Sequence, residues 1–358
     1  MSRSLFVGKN LSSLFPWASN PVIVGAPMRV MSGPALAVAV SHAGGLGFIG
    51  PNAKTQDMLA DLKEASSLIN KDNVLQTAMA VSPSSSVLPV GVGFQLWADD
   101  IETAIGVVQK YKPCAAWLYA PRHGQPDLDE WSSRIRNASP QTQIWIQIGT
   151  LAEVQGLIRS PVHPDVIVVQ GEESGGHGRA RDGLGLISLF PEVADELANA
   201  GSQIPLVAAG GIADGRTAAA AMCLGASGIA MGTRFLATTE ARISNGYQQE
   251  VVRASNGAAS TTRTQLYNHL RGTYGWPEEY SPRTIINRSF TEHQQGTEFA
   301  KLKELHDKAI QTGDSGWGPD GRLATYAGAS IGLVHDVLDA GTIVTGIRKY
   351  LVGDIETA

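Results

Sequence analysis

His177 stands in the stretch Gly171-Glu172-Glu173-Ser174-Gly175-Gly176-His177-Gly178, directly behind the apolar run Val166-Ile167-Val168-Val169. Such a run suits a strand buried on both faces. The glycines beside His177 free the backbone for turns and let a ligand come close. An imidazole at the C-terminal mouth of a buried strand is placed where α/β enzymes usually keep a general base. The same residues also fit a surface loop with one solvated histidine, so the meaning of His177 depends on what gathers around it. Two further stretches could do chemistry. Gly210-Gly211 follows the run Leu206-Val207-Ala208-Ala209, and Gly232-Thr233 follows Ile229-Ala230-Met231 one unit later. Glycine lets an oxyanion reach main-chain N–H groups, and the Thr233 hydroxyl adds a donor. Paired loops of this kind after consecutive strands suit a phosphate.

These residues need strands to carry them, and strand-like runs recur eight times. They cover Val22–Ala26, Gly44–Ile49, Leu88–Phe94, Ala115–Tyr119, Ile144–Ile148, Val166–Val169, Pro205–Ala209 and Ser227–Met231, with helix-like segments between them. Thr150 and Asp214 are placed to cap the helices that follow the fifth and seventh runs. Eight apolar strands alternating with helices predict an α/β fold, a closed parallel (β/α)8 barrel. An open doubly wound sheet would call for G-x-G-x-x-G after the first strand; the chain reads Ala26-Pro27-Met28 there. From 239 to 322 the pattern turns polar and is broken at Trp276-Pro277 and Ser281-Pro282, with an amphipathic helix over Glu298–Thr312. This predicts a mostly helical insertion over the barrel mouth. The barrel then comprises 1–238 and 323–358, with a closing helix over Leu323–Leu338.

Composition narrows the function. The chain has 358 residues, a net charge of -5 and no run of lysines or arginines, which argues against nucleic acid or an anionic membrane as the main partner. No apolar run approaches the ~20 residues of a membrane span. Arg3 and Lys9 precede the first acidic residue, Asp57, and faintly suggest a transit peptide, but Phe15-Pro16-Trp17 leads straight into the first strand. The C-terminal Glu356-Thr357-Ala358 matches no common sorting signal. Cys114 and Cys223, both among small or apolar neighbours, read as buried inert thiols. Without a disulfide framework, a reducing, cytoplasmic location is the default expectation. The histidines show no metal-binding spacing, so no metal is expected. Arg179 and Arg181 read either as solvated charges or as anion attractors, and Tyr119, Tyr267 and Trp276 either as pocket walls or as packing.

Taken together, Ala26-Pro27-Met28, the Glu173-Ser174-Gly175-Gly176-His177 stretch and the paired glycine loops resemble the FMN-dependent nitronate monooxygenase family, formerly 2-nitropropane dioxygenases. The resemblance extends over nearly the whole chain, including Gly33-Pro34-Ala35-Leu36-Ala37 and Gly44-Gly45-Leu46-Gly47. It implies a TIM barrel holding FMN, with Ala26, Pro27 and Met28 against the flavin ring and Gln147 at its polar edge. Gln170, Gly175 and Gly176 would line the pocket, while Gly210, Gly211, Gly232 and Thr233 would take the phosphate. His177 would be the catalytic residue, facing substrate over the flavin. The contact from the third strand, around Gly91-Val92-Gly93-Phe94, is left open. The implied reaction is oxidation of alkyl nitronates by dioxygen to a carbonyl compound and nitrite, with propionate 3-nitronate as one candidate substrate and a homodimer as an assembly to test. The alternative is an NAD(P)H-dependent FMN reductase of the same superfamily, of the enoyl-ACP or quinone reductase type. A binding barrel without turnover is a third reading.

Overall fold

The computed structural model describes residues 11–80 and 87–353. The N-terminal basic residues and the last three residues discussed above lie outside them.

Eight parallel strands close into a barrel: β1 (Val22–Gly25), β2 (Leu46–Ile49), β3 (Gly91–Gln95), β4 (Ala115–Tyr119), β5 (Gln143–Ile148), β6 (Val166–Gln170), β8 (Leu206–Ala209) and β9 (Gly228–Met231). The sheet closes where β1 pairs with β9, Val22 opposite Gly228 and Gly25 opposite Met231. The strands are buried on both faces because the interior is filled with side chains and helices cover the outside. Inside, Phe48 meets Trp117 edge-on at 5.2 Å, and Trp145 packs beside both. Phe15, in the segment before β1, closes this aromatic layer against Trp145. The glycines of β3 follow from that filling. A Cβ at Gly91 would stand 2.3 Å from the Phe48 ring, and one at Gly93 would stand 2.4 Å from Pro27. Those positions therefore carry bulk supplied by β2 and by the loop after β1.

Both expected caps form. The Thr150 hydroxyl accepts from the Glu153 N–H at 3.3 Å, and the Asp214 carboxylate accepts from the Thr217 N–H at 2.9 Å. No helix among the described residues is long and apolar enough to cross a membrane.

The polar region after β9 contains helices at Asn245–Arg253, Leu266–Leu270, Arg288–Gln294 and Phe299–Ile310, together with two strands, β10 (Thr261–Arg263) and β11 (Tyr280–Ile285). A further strand outside the barrel, β7 (Gly176–Arg179), pairs antiparallel with β11, placing His177 opposite Pro282. The histidine stretch is thus a strand in its second half and only a turn in its first. Pro282 has no N–H to give, but its carbonyl accepts from the Thr264 N–H at 3.1 Å.

The helix expected over Leu323–Leu338 does not form. A short 3-10 segment, Ala329–Leu333, kinked at Ser330, lies in irregular chain, and the closing helix is Ala340–Leu351, capped by Asp339. The main-chain groups of the stretch are engaged elsewhere. Gly328 N–H donates to the Thr233 hydroxyl at 2.9 Å, Ala329 N–H donates to the Glu173 carbonyl, and Tyr326 N–H donates to the Tyr247 hydroxyl. Cys114 is buried, but Cys223 is exposed. It sits on the outer side of the helix Gly215–Cys223, whose inward face is Ala218 and Ala221.

Candidate active site

The C-terminal mouth of the barrel holds a cavity of about 360 Å³. All twelve residues expected at the site line it: Ala26, Pro27, Met28, Gln147, Gln170, Gly175, Gly176, His177, Gly210, Gly211, Gly232 and Thr233. They come from the C-terminal ends of five barrel strands, β1, β5, β6, β8 and β9, and from β7 and the residue before it. Gly210 and Gly211 bring main chain to the cavity wall. Gly210 and Gly211 have φ of +94° and +75°, which turns the chain sharply after β8. Gly232 and Thr233 also line the cavity, and the Thr233 hydroxyl receives the Gly328 N–H, which ties the segment at Gly328 to this wall.

The cavity lining includes the apolar residues Ala26, Pro27, Met28 and Ala230 and the amides Gln95, Gln147 and Gln170. Gln147 accepts from the Trp117 indole N–H at 3.0 Å, which anchors it to the barrel's aromatic layer. Gln95, at the end of β3, donates to the Tyr119 hydroxyl, and its Oε1 is buried without a hydrogen-bond partner among the described residues. A buried amide oxygen left unmatched in a cavity wall marks a place for a ligand donor. Asp99 holds this strand end through the Gln95 N–H at 2.7 Å and the Thr55 hydroxyl at 2.8 Å, and burial raises its carboxyl pKa.

His177 lies over the cavity, its ring stacked on Trp276 at 3.5 Å with planes 6° apart. Burial pushes its pKa well below the usual histidine value, and the guanidinium charges of Arg263, Arg29 and Arg271 act in the same direction. The ring is therefore neutral at neutral pH. Arg263 donates to the carbonyls of Glu172, Ser174, Gly176 and Ser281 and so pins the histidine stretch from behind. Arg29 and Arg271 line the cavity itself. Arg29 donates to the carbonyls of Asn52 and Ala53, and Arg271 to the Tyr326 hydroxyl at 2.9 Å. Neither forms an ion pair with a carboxylate among the described residues.

A model of the nitronate monooxygenase family matches residues 13–108 and 130–344. A nitronate monooxygenase (npaC) of Metarhizium robertsii is 59% identical over 338 residues, covering 94% of this chain and 93% of that protein. The chain belongs to the nitronate monooxygenase family. It is accordingly an enzyme, an oxidoreductase of the monooxygenase class. The fold agrees with solved structures. The nitroalkane oxidase of Streptomyces ansochromogenes aligns with a TM-score of 0.71 at 23% identity, covering 96% of this chain and 98% of that one. FabK from Thermotoga maritima aligns with a TM-score of 0.70 at 25% identity, covering 98% and 97%.

Within this member of the nitronate monooxygenase family, several pocket residues escape sequence reasoning. Gln95, Trp117, Asn268, Arg271, Tyr326 and Gly328 all line the cavity. Gln95 is the residue that the third strand contributes, one position past the stretch where a contact was sought. Tyr119 and Trp276 are pocket walls, whereas Tyr267 is fully buried away from the cavity, bonded to Asn287 at 2.8 Å. Arg179 is neither solvated nor in the pocket; it pairs with Asp182 at 2.6 Å and Glu153 at 3.3 Å and lies over the Tyr280 ring.

Proposed function

We propose that this chain oxidises alkyl nitronates with FMN held at the barrel mouth, consuming dioxygen and releasing a carbonyl compound and nitrite. The observation that carries the reading is a neutral imidazole over a cavity whose lining includes two guanidinium groups, Arg29 and Arg271, that form no ion pair among the described residues. That field suits an anionic substrate and stabilises it without a buried carboxylate having to move.

The residues fit a flavin. The Gly210-Gly211 turn and Gly232-Thr233 offer main-chain and hydroxyl donors for its phosphate. Ala26, Pro27 and Met28 provide an apolar bed for the ring, and Gln95, Gln147 and Gln170 supply amides for its polar edge. The redox chemistry is the flavin's, because a nitronate is a stabilised carbanion equivalent that can be oxidised there without a strong base. The protein binds and orients. His177, held flat by Trp276, reaches the nitronate oxygens, while Arg29 and Arg271 attract the anion and offer a place for a second negative group such as the carboxylate of propionate 3-nitronate. The segment 239–322 acts as a lid that carries Trp276 and Asn268 over the ring and keeps water from the reacting face.

The test is the visible spectrum of the purified protein under anaerobic conditions, with propionate 3-nitronate and, separately, with NADH. Loss of flavin absorbance with the nitronate, followed by nitrite in air, supports the reading. Rapid bleaching by NADH with no response to nitronates overturns it in favour of a reductase, and a protein that binds no flavin overturns both.

A further inference from the structure

We propose that Asn268 is a positioning residue that fixes the tautomer of His177, so that the imidazole meets substrate as a hydrogen-bond donor through Nδ1–H while its Nε2 lone pair is already occupied. Asn268 sits in the helix Leu266–Leu270 of the region after β9 and is 1% exposed. Its side chain lies within 2.9 Å of His177 Nε2 and 2.7 Å of Gln265 Oε1.

The direction of these bonds is set at both ends of the chain they form. At one end Gln265 Nε2 donates to the Tyr280 carbonyl at 2.6 Å, and a carbonyl can only accept. Gln265 must therefore turn its Oε1 toward Asn268, and Asn268 must present Nδ2. At the other end Arg271, which can only donate, bonds to the Tyr326 hydroxyl at 2.9 Å. That leaves the Tyr326 hydrogen for Asn268 Oδ1, 3.3 Å away. Turning the Asn268 amide over would set two carbonyl-type oxygens against each other at the Gln265 contact. Turning Gln265 as well moves the same conflict to Tyr280. With one Nδ2 hydrogen on Gln265, the other points at His177 Nε2, which must accept it. The imidazole proton then resides on Nδ1, for which no protein partner exists among the described residues.

The ring has little freedom to escape this arrangement, since Trp276 stacks on its face and β7 holds its backbone in the ladder with β11. The charged groups facing it are Arg29, Arg263 and Arg271, with Tyr326 the neighbouring phenol at 6.1 Å between rings. None offers Nε2 a carboxylate that would draw a proton onto it. A lone pair already bonded to an amide is a poor proton acceptor, so this geometry withholds a base and supplies a donor. The use of that donor on a nitronate oxygen rests on the function proposed above, whereas the tautomer itself does not.

The experiment is a 15N–1H correlation spectrum of histidine-labelled holoenzyme, with the His177 signals assigned by their loss in His177→Asn. The wild type is expected to show a protonated Nδ1 and an unprotonated Nε2. In Asn268→Asp a group that only accepts faces Nε2, so the proton is expected to move to Nε2 and the ring to titrate at higher pH. The kcat/KM for propionate 3-nitronate is expected to fall about 30-fold or more, mostly in kcat, in line with loss of one aligned donor. The pH profile should then gain an ionisation that the wild type lacks. Should Asn268→Asp fail to fold, Gln265→Leu removes the direction-setting acceptor one bond further out and should give mixed tautomers. A wild-type Nε2–H, or an unchanged tautomer in either flavin-loaded variant, overturns the proposal. A tautomer that switches in an enzyme inert toward nitronates leaves it standing and overturns the proposed substrate instead.

Discussion

Substitution of Gly210 by alanine tests the phosphate cradle, and Gly176 supplies an internal control. Both residues line the cavity and both have positive φ, +94° and +65°. Placing an L residue in that region costs roughly 1 kcal/mol or somewhat more. Beyond this the two sites differ. A Cβ at Gly176 meets nothing within 4 Å, while at Gly210 it would stand 2.8 Å from the Gly171 carbonyl oxygen. That carbonyl cannot simply retreat, because the Gly171 N–H donates to the Ala209 carbonyl at 2.8 Å, where β6 and β8 end side by side. The turn itself must shift by several tenths of an ångström, adding about 1–2 kcal/mol of overpacking. We expect Gly210→Ala to lose about 3 kcal/mol in urea unfolding and Gly176→Ala about 1 kcal/mol. Because the displaced atoms are the main-chain donors assigned to the phosphate, FMN affinity measured by fluorescence titration should weaken about 10- to 100-fold in Gly210→Ala. It should change far less in Gly176→Ala. Equal effects of the two substitutions on FMN binding, or unaltered FMN affinity in Gly210→Ala, would refute the assignment of this turn to the phosphate.

Three other outcomes are expected. His177→Asn should lose turnover by about 100-fold or more while retaining its flavin, as a group acting on substrate would; release of the flavin would make the residue structural. Arg29→Met and Arg271→Met should each raise KM for an anionic nitronate about 10-fold, with the wild-type KM rising with salt more steeply than that of either variant; a salt-independent wild-type KM counts against the anion-attracting field. Burial holds the His177 pKa well below its ordinary value of about 6.5, so below that pH the unfolded chain binds more protons than the folded one. Stability should therefore decline as pH falls through about 6.5, and His177→Asn should flatten part of that slope, leaving the part due to His306, whose pKa burial also lowers. An unchanged slope would mean the imidazole is not held neutral.

The barrel was legible because its strands are short, predominantly apolar runs recurring eight times, with the amides Gln95, Gln147 and Gln170 at or near their C-terminal ends. The place of Gly210-Gly211 and Gly232-Thr233 in the cavity lining was legible for a related reason: residues directly after the C-terminal ends of barrel strands face the barrel mouth. Errors fell where local pattern and tertiary demand diverge. Leu323–Leu338 carries enough alanine and leucine to suit a helix, yet its N–H groups go to Thr233, Tyr247 and Glu173 instead of to the fourth residue back. The helix Ala340–Leu351 takes over the closing role and packs between the helices Pro34–His42 and Gly215–Cys223. Gln95 was missed by one position, because an amide at the end of an apolar strand reads as the start of a loop until the barrel shows which way it faces.

The chemistry of His177 was the least legible part, and the reason is topological. The glycines around it promise flexibility, but β11 pairs with the strand and removes it, register by register from Tyr280 opposite Arg179 to Arg283 opposite Gly176. The groups that determine what the imidazole can do stand roughly ninety to one hundred and fifty positions downstream, at Asn268, Trp276 and Tyr326, separations of the kind only a closed fold brings together. A motif can thus say that a histidine belongs at a barrel mouth. Whether that histidine is a base or a donor depends on a chain of amides whose sense is fixed by a carbonyl at Tyr280 and a guanidinium at Arg271. Variation in the segment after β9 could therefore change the proton chemistry of the site while every residue of the histidine motif stays the same.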